Sequence, residues 1–333
     1  MSDDIAMMTA SRLVKLYRSG ELSPVEATRA ALARIERYNA RLNAFNLVAA
    51  ETALAAAAES EERWRLGAPR GPVDGVPVSI KDVLLTEGWP TLRGSKAIRR
   101  DQPWEEDAPS VARLREHGTV MLGKTTTPEF GWKGVTDSPL DGNTRTPWNP
   151  ATTPGGSSGG ASAALAAGMG ALALGSDAGG SVRIPAGFTG VFALKATFGR
   201  VPAYPLSPFG TLANIGPMSR SVTDAALLLN IMNEPDPRDP YSLPYDNADY
   251  LHGLDEGIEG LKIAYSPTLG GHKVDPEIAA LVDKAVQTLA GLGAEIVVAE
   301  PDTAGAEEVF RIHWYAGAAN LLQRFDAAAI AEM

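Results

Sequence analysis

Apolar residues recur at helical spacing from Val25 through Ile35, behind Ser23-Pro24-Val25-Glu26, a capping box with proline at the first helical position. The same period predicts an Ala/Glu/Arg helix over 51–66, stopped by Gly67. Asn43 to Ala49 fits neither helix nor strand cleanly. The first 67 residues therefore read as a helical region, closed by a Pro/Gly loop from Ala68 to Gly75. Strand-like and helical runs alternate from there. Residues 76–80 and 119–122 read as strands, with a helix from about Pro109 to His117 between them. Residues 161–168 read as a helix and 171–174 as a buried strand, and Ser221-Val222-Thr223-Asp224 caps a helix ending near Met232. Residues 233–260, rich in Pro, Asp, Tyr and Gly, form a long connection. Residues 262–266, a helix capped by Asp275-Pro276-Glu277 and ending near Leu289, and residues 295–299 make a strand–helix–strand unit, with one more helix after it. The alternation predicts an α/β fold with a mixed, largely parallel sheet covered by helices.

Composition narrows the class. The 333 residues, 44% hydrophobic and 21% charged, suit a soluble globular protein with ample core. A formal charge of −10 argues against nonspecific binding to nucleic acid, which needs a basic face. There is no cysteine, hence no disulfide scaffold and no thiolate chemistry. The acidic start, Met1-Ser2-Asp3-Asp4-Ile5, carries no apolar signal core. The most membrane-like run, Ala161 to Gly175, falls short of the roughly 20 residues a spanning helix needs. The expectation is a soluble, cytoplasmic protein that engages neither membrane nor nucleic acid.

Several motifs suggest chemistry that their context denies. Gly118-Thr119-Val120-Met121-Leu122-Gly123-Lys124-Thr125 fits the phosphate-loop pattern GxxxxGK(S/T), but its inner residues are strand, and Thr127-Pro128 discourages a helix opening at Lys124. Gly168-Met169-Gly170-Ala171-Leu172-Ala173 resembles a dinucleotide fingerprint but ends a helix instead of opening one. Gly155 to Gly160 holds GxSxG twice, around Ser157 and Ser158, yet Trp148 to Pro154 cannot be the apolar strand that a nucleophile elbow leaves. The four histidines, His117, His252, His272 and His313, stand singly and offer no metal-ligand spacing.

What remains is a lysine and two glycine-lined serine loops. Ser181 follows Ala178-Gly179-Gly180, where missing side chains let backbone N–H groups converge beside an attacking hydroxyl. Asp177 and Arg183 flank this loop, either as an ion pair bracing it or as solvated charges. Lys81 ends the apolar run Val76-Pro77-Val78-Ser79-Ile80. To act as a base at neutrality its pKa must fall from about 10.4 to near 7, about 4 kcal/mol that burial can supply. Asp82 points to the other face by strand alternation and so need not oppose that fall. Ser157 or Ser158, inside the glycine run Gly155 to Gly160, could relay a proton between Lys81 and Ser181. The run is short and enters an Ala-rich helix, which favours a fixed loop over a flexible linker.

Three blocks in this order resemble the amidase signature family of serine hydrolases: Gly75 to Asp82, Thr153 to Ala164, and Gly175 to Arg200. The resemblance extends from the N-terminal helices to about residue 300. It implies a sheet covered by helices on both faces, no cofactor, and a Lys81–Ser157–Ser181 triad. Ser181 would be the acyl-forming nucleophile, Lys81 the base, and Ser157 the bridging serine after a cis peptide bond. The family's spacing of 24 residues selects Ser157 over Ser158, since 181 − 157 = 24. Backbone N–H groups of Ala178, Gly179, Gly180 and Ser181 would form the oxyanion hole. The implied activity is hydrolysis of a small-molecule amide, with a homodimer left open. Lys195-Ala196-Thr197 departs from the family's usual Lys-Pro-Thr. Family members are longer, which implies one amidase domain over 1–333 that is C-terminally incomplete. Its parts would be a helical region (1–67), a catalytic core (68–235) and a partial α/β region (236–333). Two alternatives stay open: the A-type subunit of a glutamyl-tRNA(Gln)/aspartyl-tRNA(Asn) amidotransferase, and an inactive fragment.

Overall fold

The structure, a computed structural model, describes residues 2–245 and 247–333. Its strands are β1 (Phe45–Val48), β2 (Pro77–Lys81), β3 (Val120–Thr125), β4 (Asp137–Ser138), β5 (Gly142–Asn143), β6 (Leu172–Asp177), β7 (Phe192–Ala193), β8 (Asn214–Ser219), β9 (Lys262–Tyr265) and β10 (Glu295–Val298). The chain forms two compact units. One runs to Tyr250 and resumes over Ala318–Met333; the other is Leu251–Gly317.

The first unit is built on a six-stranded sheet in the order β1-β3-β2-β6-β8-β7. Its centre is parallel, β2 lying between β3 and β6. The outer pairings, β1 on β3, β8 on β6 and β7 on β8, are antiparallel. The sheet is thus mixed, as the alternation predicts, with its parallel character confined to the middle. Strand β8 has no sequence signature: Asn214-Ile215-Gly216-Pro217-Met218-Ser219 lacks alternation and contains glycine and proline. All six residues are nevertheless buried, held by the β6 ladder from Leu172↔Ser219 to Asp177↔Asn214. Strand β3 outlasts its expected end at Leu122 because Lys124 finds acceptors inside the protein and need not seek solvent.

Helix Pro24–Leu42 opens with both halves of the expected capping box: Glu26 N donates to Ser23 Oγ at 3.2 Å and Ser23 N to Glu26 Oε2 at 2.8 Å. Its apolar face, Ala31, Ile35 and Leu42, packs with Ala53 and Ala57 of helix Ala50–Arg65 and with Val120 and Leu122 of β3. Helix Gly159–Ala166 is buried on all sides from Gly159 to Leu165. Ala163 and Ala164 join that core, while Ala161 and Leu165 join a second one with Ala173, Val182 and Met218. Small side chains are what allow a helix to sit between two cores, and this placement pins the loop before Val182 to the helix after Ser158.

In the second unit β9 and β10 pair in parallel, Lys262↔Glu295 through Tyr265↔Val298, across helix Pro276–Gly291. Asp275 caps that helix through Glu277 N at 2.9 Å, so the strand–helix–strand reading holds. Among the described residues no helix is long and apolar enough to cross a membrane.

Candidate active site

The apolar run of β2 sinks into the core and takes Lys81 with it, leaving the lysine wholly buried. Its Nζ donates to Ser157 Oγ at 2.6 Å and to Ser176 Oγ at 2.9 Å. Burial lowers its pKa to about 7, against the opposing pull of Asp177. Near neutrality about half of the amines are therefore uncharged, and the short contact can reverse, Ser157 O–H donating to the nitrogen lone pair. Asp82 faces away, as strand alternation predicts. Its carboxylate lies 3.4 Å from Lys124 Nζ and accepts from Asn46 Nδ2 and from the backbone N–H of Arg93.

The glycine run around Ser157 is a packed loop. A Cβ on Gly156 would stand 2.6 Å from the Val135 carbonyl carbon, and one on Gly160 2.5 Å from Thr126 N. The Gly156–Ser157 peptide bond is cis. The two serines divide their work. Ser157 meets Lys81, while Ser158 stitches the serine loops together: its Oγ donates to Ser176 O at 3.2 Å and its N–H donates to Ser181 O at 3.0 Å.

The loop of Ser181 is shaped by Asp177. The carboxylate, with no exposed side-chain surface, accepts from Gly180 N at 2.7 Å, Val182 N at 3.2 Å, and Arg183 Nε and Nη2 at 3.0 and 2.9 Å. Burial pushes its pKa upward, but these donors together hold it below the usual carboxylate range. Asp177 and Arg183 are thus a brace, not two solvated charges. Gly180 is the exception among the four expected oxyanion donors: its N–H is given to Asp177. The N–H groups of Ala178, Gly179 and Ser181 have no hydrogen bond among the described residues. Ser181 is 6% exposed, and its hydroxyl makes no hydrogen bond among the described residues. The structure therefore joins Lys81 to Ser157 and ties the Ser181 backbone to Ser158, while the Ser157 and Ser181 hydroxyls are not hydrogen-bonded to each other.

Two features escaped the sequence reading. Ser176, the second acceptor of Lys81, is a hydroxyl in the otherwise apolar β6 run Leu172-Ala173-Leu174-Gly175, and that contrast is its only signal. Lys124, from the phosphate-loop match, is a wholly buried clamp, donating to Leu84 O and Thr91 Oγ1, each at 2.7 Å. Burial pulls its pKa down to about 8 although Asp82 opposes the fall.

The amidase family model matches residues 26–333. The A-type subunit of glutamyl-tRNA(Gln) amidotransferase from Chloroflexus aurantiacus is 40% identical over 321 residues, covering 96% of this chain and 66% of that protein. An acylamidase of Rhodococcus erythropolis is 40% identical over 302 residues, covering 90% of this chain and 63% of that one. The crystal structure of a bacterial aryl acylamidase of the amidase signature family superposes with a TM-score of 0.90 at 31% identity, covering 98% of this chain and 70% of that one. The chain thus spans about two thirds of the length of the curated relatives it matches. With the match running through all three motif blocks, this chain belongs to the amidase signature family.

Proposed function

We propose that this protein hydrolyses carboxylic amides to an acid plus ammonia or an amine through an acyl-Ser181 intermediate. The observation that carries this reading is the 2.6 Å contact between Lys81 Nζ and Ser157 Oγ, made by a lysine whose pKa burial brings to about 7. Uncharged Lys81 takes the Ser157 proton as Ser157 takes that of Ser181. A turn of the unbonded Ser181 side chain closes the second contact, a step left to substrate binding. Ser181 Oγ then attacks the carbonyl carbon, and the developing oxyanion is met by the N–H groups of Ala178, Gly179 and Ser181. The C–N bond breaks as the proton returns through Ser157 to the leaving nitrogen. Water, deprotonated by the same relay, then attacks the acyl carbon and releases the acid, restoring Ser181. Ser176 keeps the amine aimed at Ser157, and Asp177 keeps the Ser181 loop in shape. Each of these steps is written with side chains and backbone N–H groups of this chain and with water, and a cytoplasmic location goes with the reading.

Purified protein should release ammonia or amine from simple aliphatic and aryl amides, and Ser181→Ala should abolish this. Turnover surviving that substitution would end the proposal. A second reading draws on the 40% identity to the A-type subunit of glutamyl-tRNA(Gln) amidotransferase. In it the amide is glutamine's and the released ammonia serves a larger assembly. It calls for ammonia release from glutamine that appears only when partner proteins are added.

A further inference from the structure

The main chain of Arg93 is clamped. Its N–H donates to Asp82 Oδ2 at 3.1 Å, its carbonyl accepts from Phe130 N at 2.7 Å, and its φ is +56°. The side chain is not: among the described residues the guanidinium has no hydrogen bond or ion pair, and Nε is shut off from solvent. The nearby Asp82 carboxylate is already engaged by Lys124 and Asn46. Arg324, equally without a partner among the described residues, stands close enough to oppose the charge of Arg93. Burial and this repulsion pull the Arg93 pKa down, against the opposing attraction of Asp82.

Both arginines line a cleft of about 580 Å³ that also carries Ile98, Trp104 and Phe325. Other charged residues also line it. Arg99 is paired with Asp101, while Glu105 and Glu106 are exposed and Glu106 lies in the field of Arg238. The cleft therefore combines the guanidinium groups of a largely buried Arg93 and an exposed Arg324, neither in an ion pair among the described residues, with an aromatic and aliphatic wall. One turn links its wall to Ser157. Phe325 packs on Phe130 with ring centroids 5.5 Å apart, and in the turn holding Phe130 a Cβ on Gly131 would stand 3.3 Å from Ser157 Oγ.

We infer that Arg93 and Arg324 hold the carboxylate of a small molecule with an apolar body, so that amides bearing an anionic group are the preferred substrates. Two planar guanidinium forks match a carboxylate, and the volume is that of a small-molecule site. A dianion would meet the glutamates at the rim, which favours a monoanion. The word substrate rests on the amide-hydrolase reading; carboxylate binding itself does not.

Isothermal titration with 4-phenylbutyrate, using wild type and Ser181→Ala, tests the site. Both proteins should bind it, and Arg93→Gln and Arg324→Gln should each weaken binding by about 10-fold or more. Arg93→Lys should restore part of the loss, and the neutral 4-phenylbutanol should distinguish none of these variants. Arg324 is exposed, so its substitution keeps the test valid should Arg93→Gln fail to fold. No saturable binding to folded wild type, equal affinity in Arg324→Gln, or a clear preference for phenyl phosphate would each overturn the assignment. Carboxylate binding without turnover of any amide would sink the hydrolase reading and leave the site standing. Turnover without carboxylate binding would do the reverse.

Discussion

Lys81→Met replaces a buried amine with an apolar side chain of similar length, and activity and stability should respond with opposite signs at neutral pH. The unfolded chain holds this proton up to about pH 10.5, whereas the folded protein releases it near pH 7. Between those values the unfolded state binds more protons, so wild-type stability rises with pH across the window. At pH 7 the buried lysine lowers stability by about 4 kcal/mol, from roughly 1.4 kcal/mol for each pH unit separating the two pKa values. Methionine removes that penalty but strands the hydroxyls of Ser157 and Ser176, at about 1–2 kcal/mol each. The variant should therefore equal or exceed wild type by up to about 2 kcal/mol at pH 7 and fall below it by about 2–4 kcal/mol as pH approaches 10.5. Urea unfolding of both proteins at several pH values reads this directly. Amide turnover should drop by about 10²-fold or more at every pH. A stability gap that does not change with pH would refute the reasoning, because it would mean that Lys81 keeps an ordinary pKa in the folded state.

Lys124→Met is the contrast: it leaves the buried Asp82 carboxylate without its cation and should destabilise by about 3–5 kcal/mol at pH 7, seen as a lower urea midpoint. Asp177→Asn keeps the shape but weakens the bonds that form the Ser181 loop. It should lower kcat by about 10²-fold while the fold survives, as steady-state kinetics beside a thermal melt would show. Gly160→Ala drives a methyl into the backbone at Thr126 and should lose about 1–3 kcal/mol, measurable by denaturant unfolding. In wild type, kcat/KM for a neutral amide should rise with pH through a midpoint near 7, as Lys81 loses its proton.

Local chemistry made part of this protein legible. The Ser23–Glu26 box, the Asp275 cap and the apolar strand ending in Lys81 are each set by neighbouring residues, so their letters suffice. Asp82 could be turned away from Lys81 by counting along one strand. What escaped depends on partners distant in the chain. Strand β8 is a strand only because β6 lies beside it, and Asn214 to Ser219 carries no periodicity of its own. Lys124 lay beyond the expected end of its strand because the carbonyl and hydroxyls that receive its ammonium come from the loop after β2. Ser176 was hidden for the same reason, since nothing in β6 announces that a lysine ends the neighbouring strand. The division of labour between Ser157 and Ser158 came from the family's spacing, whereas the reason for it, Ser158 tying the two loops together, is visible only in three dimensions. Nor do the letters of the glycine loop announce that the Gly180 N–H is given to Asp177.

The most direct measurement is the pH dependence of Ser181 modification by phenylmethanesulfonyl fluoride, with the labelled peptide located by mass spectrometry. Modification should fall on Ser181, accelerate with a midpoint near pH 7, and slow by about 10²-fold or more in Lys81→Met. Label on another residue, or an unchanged rate without the lysine, would contradict a proton relay from Ser181 through Ser157 to a buried amine.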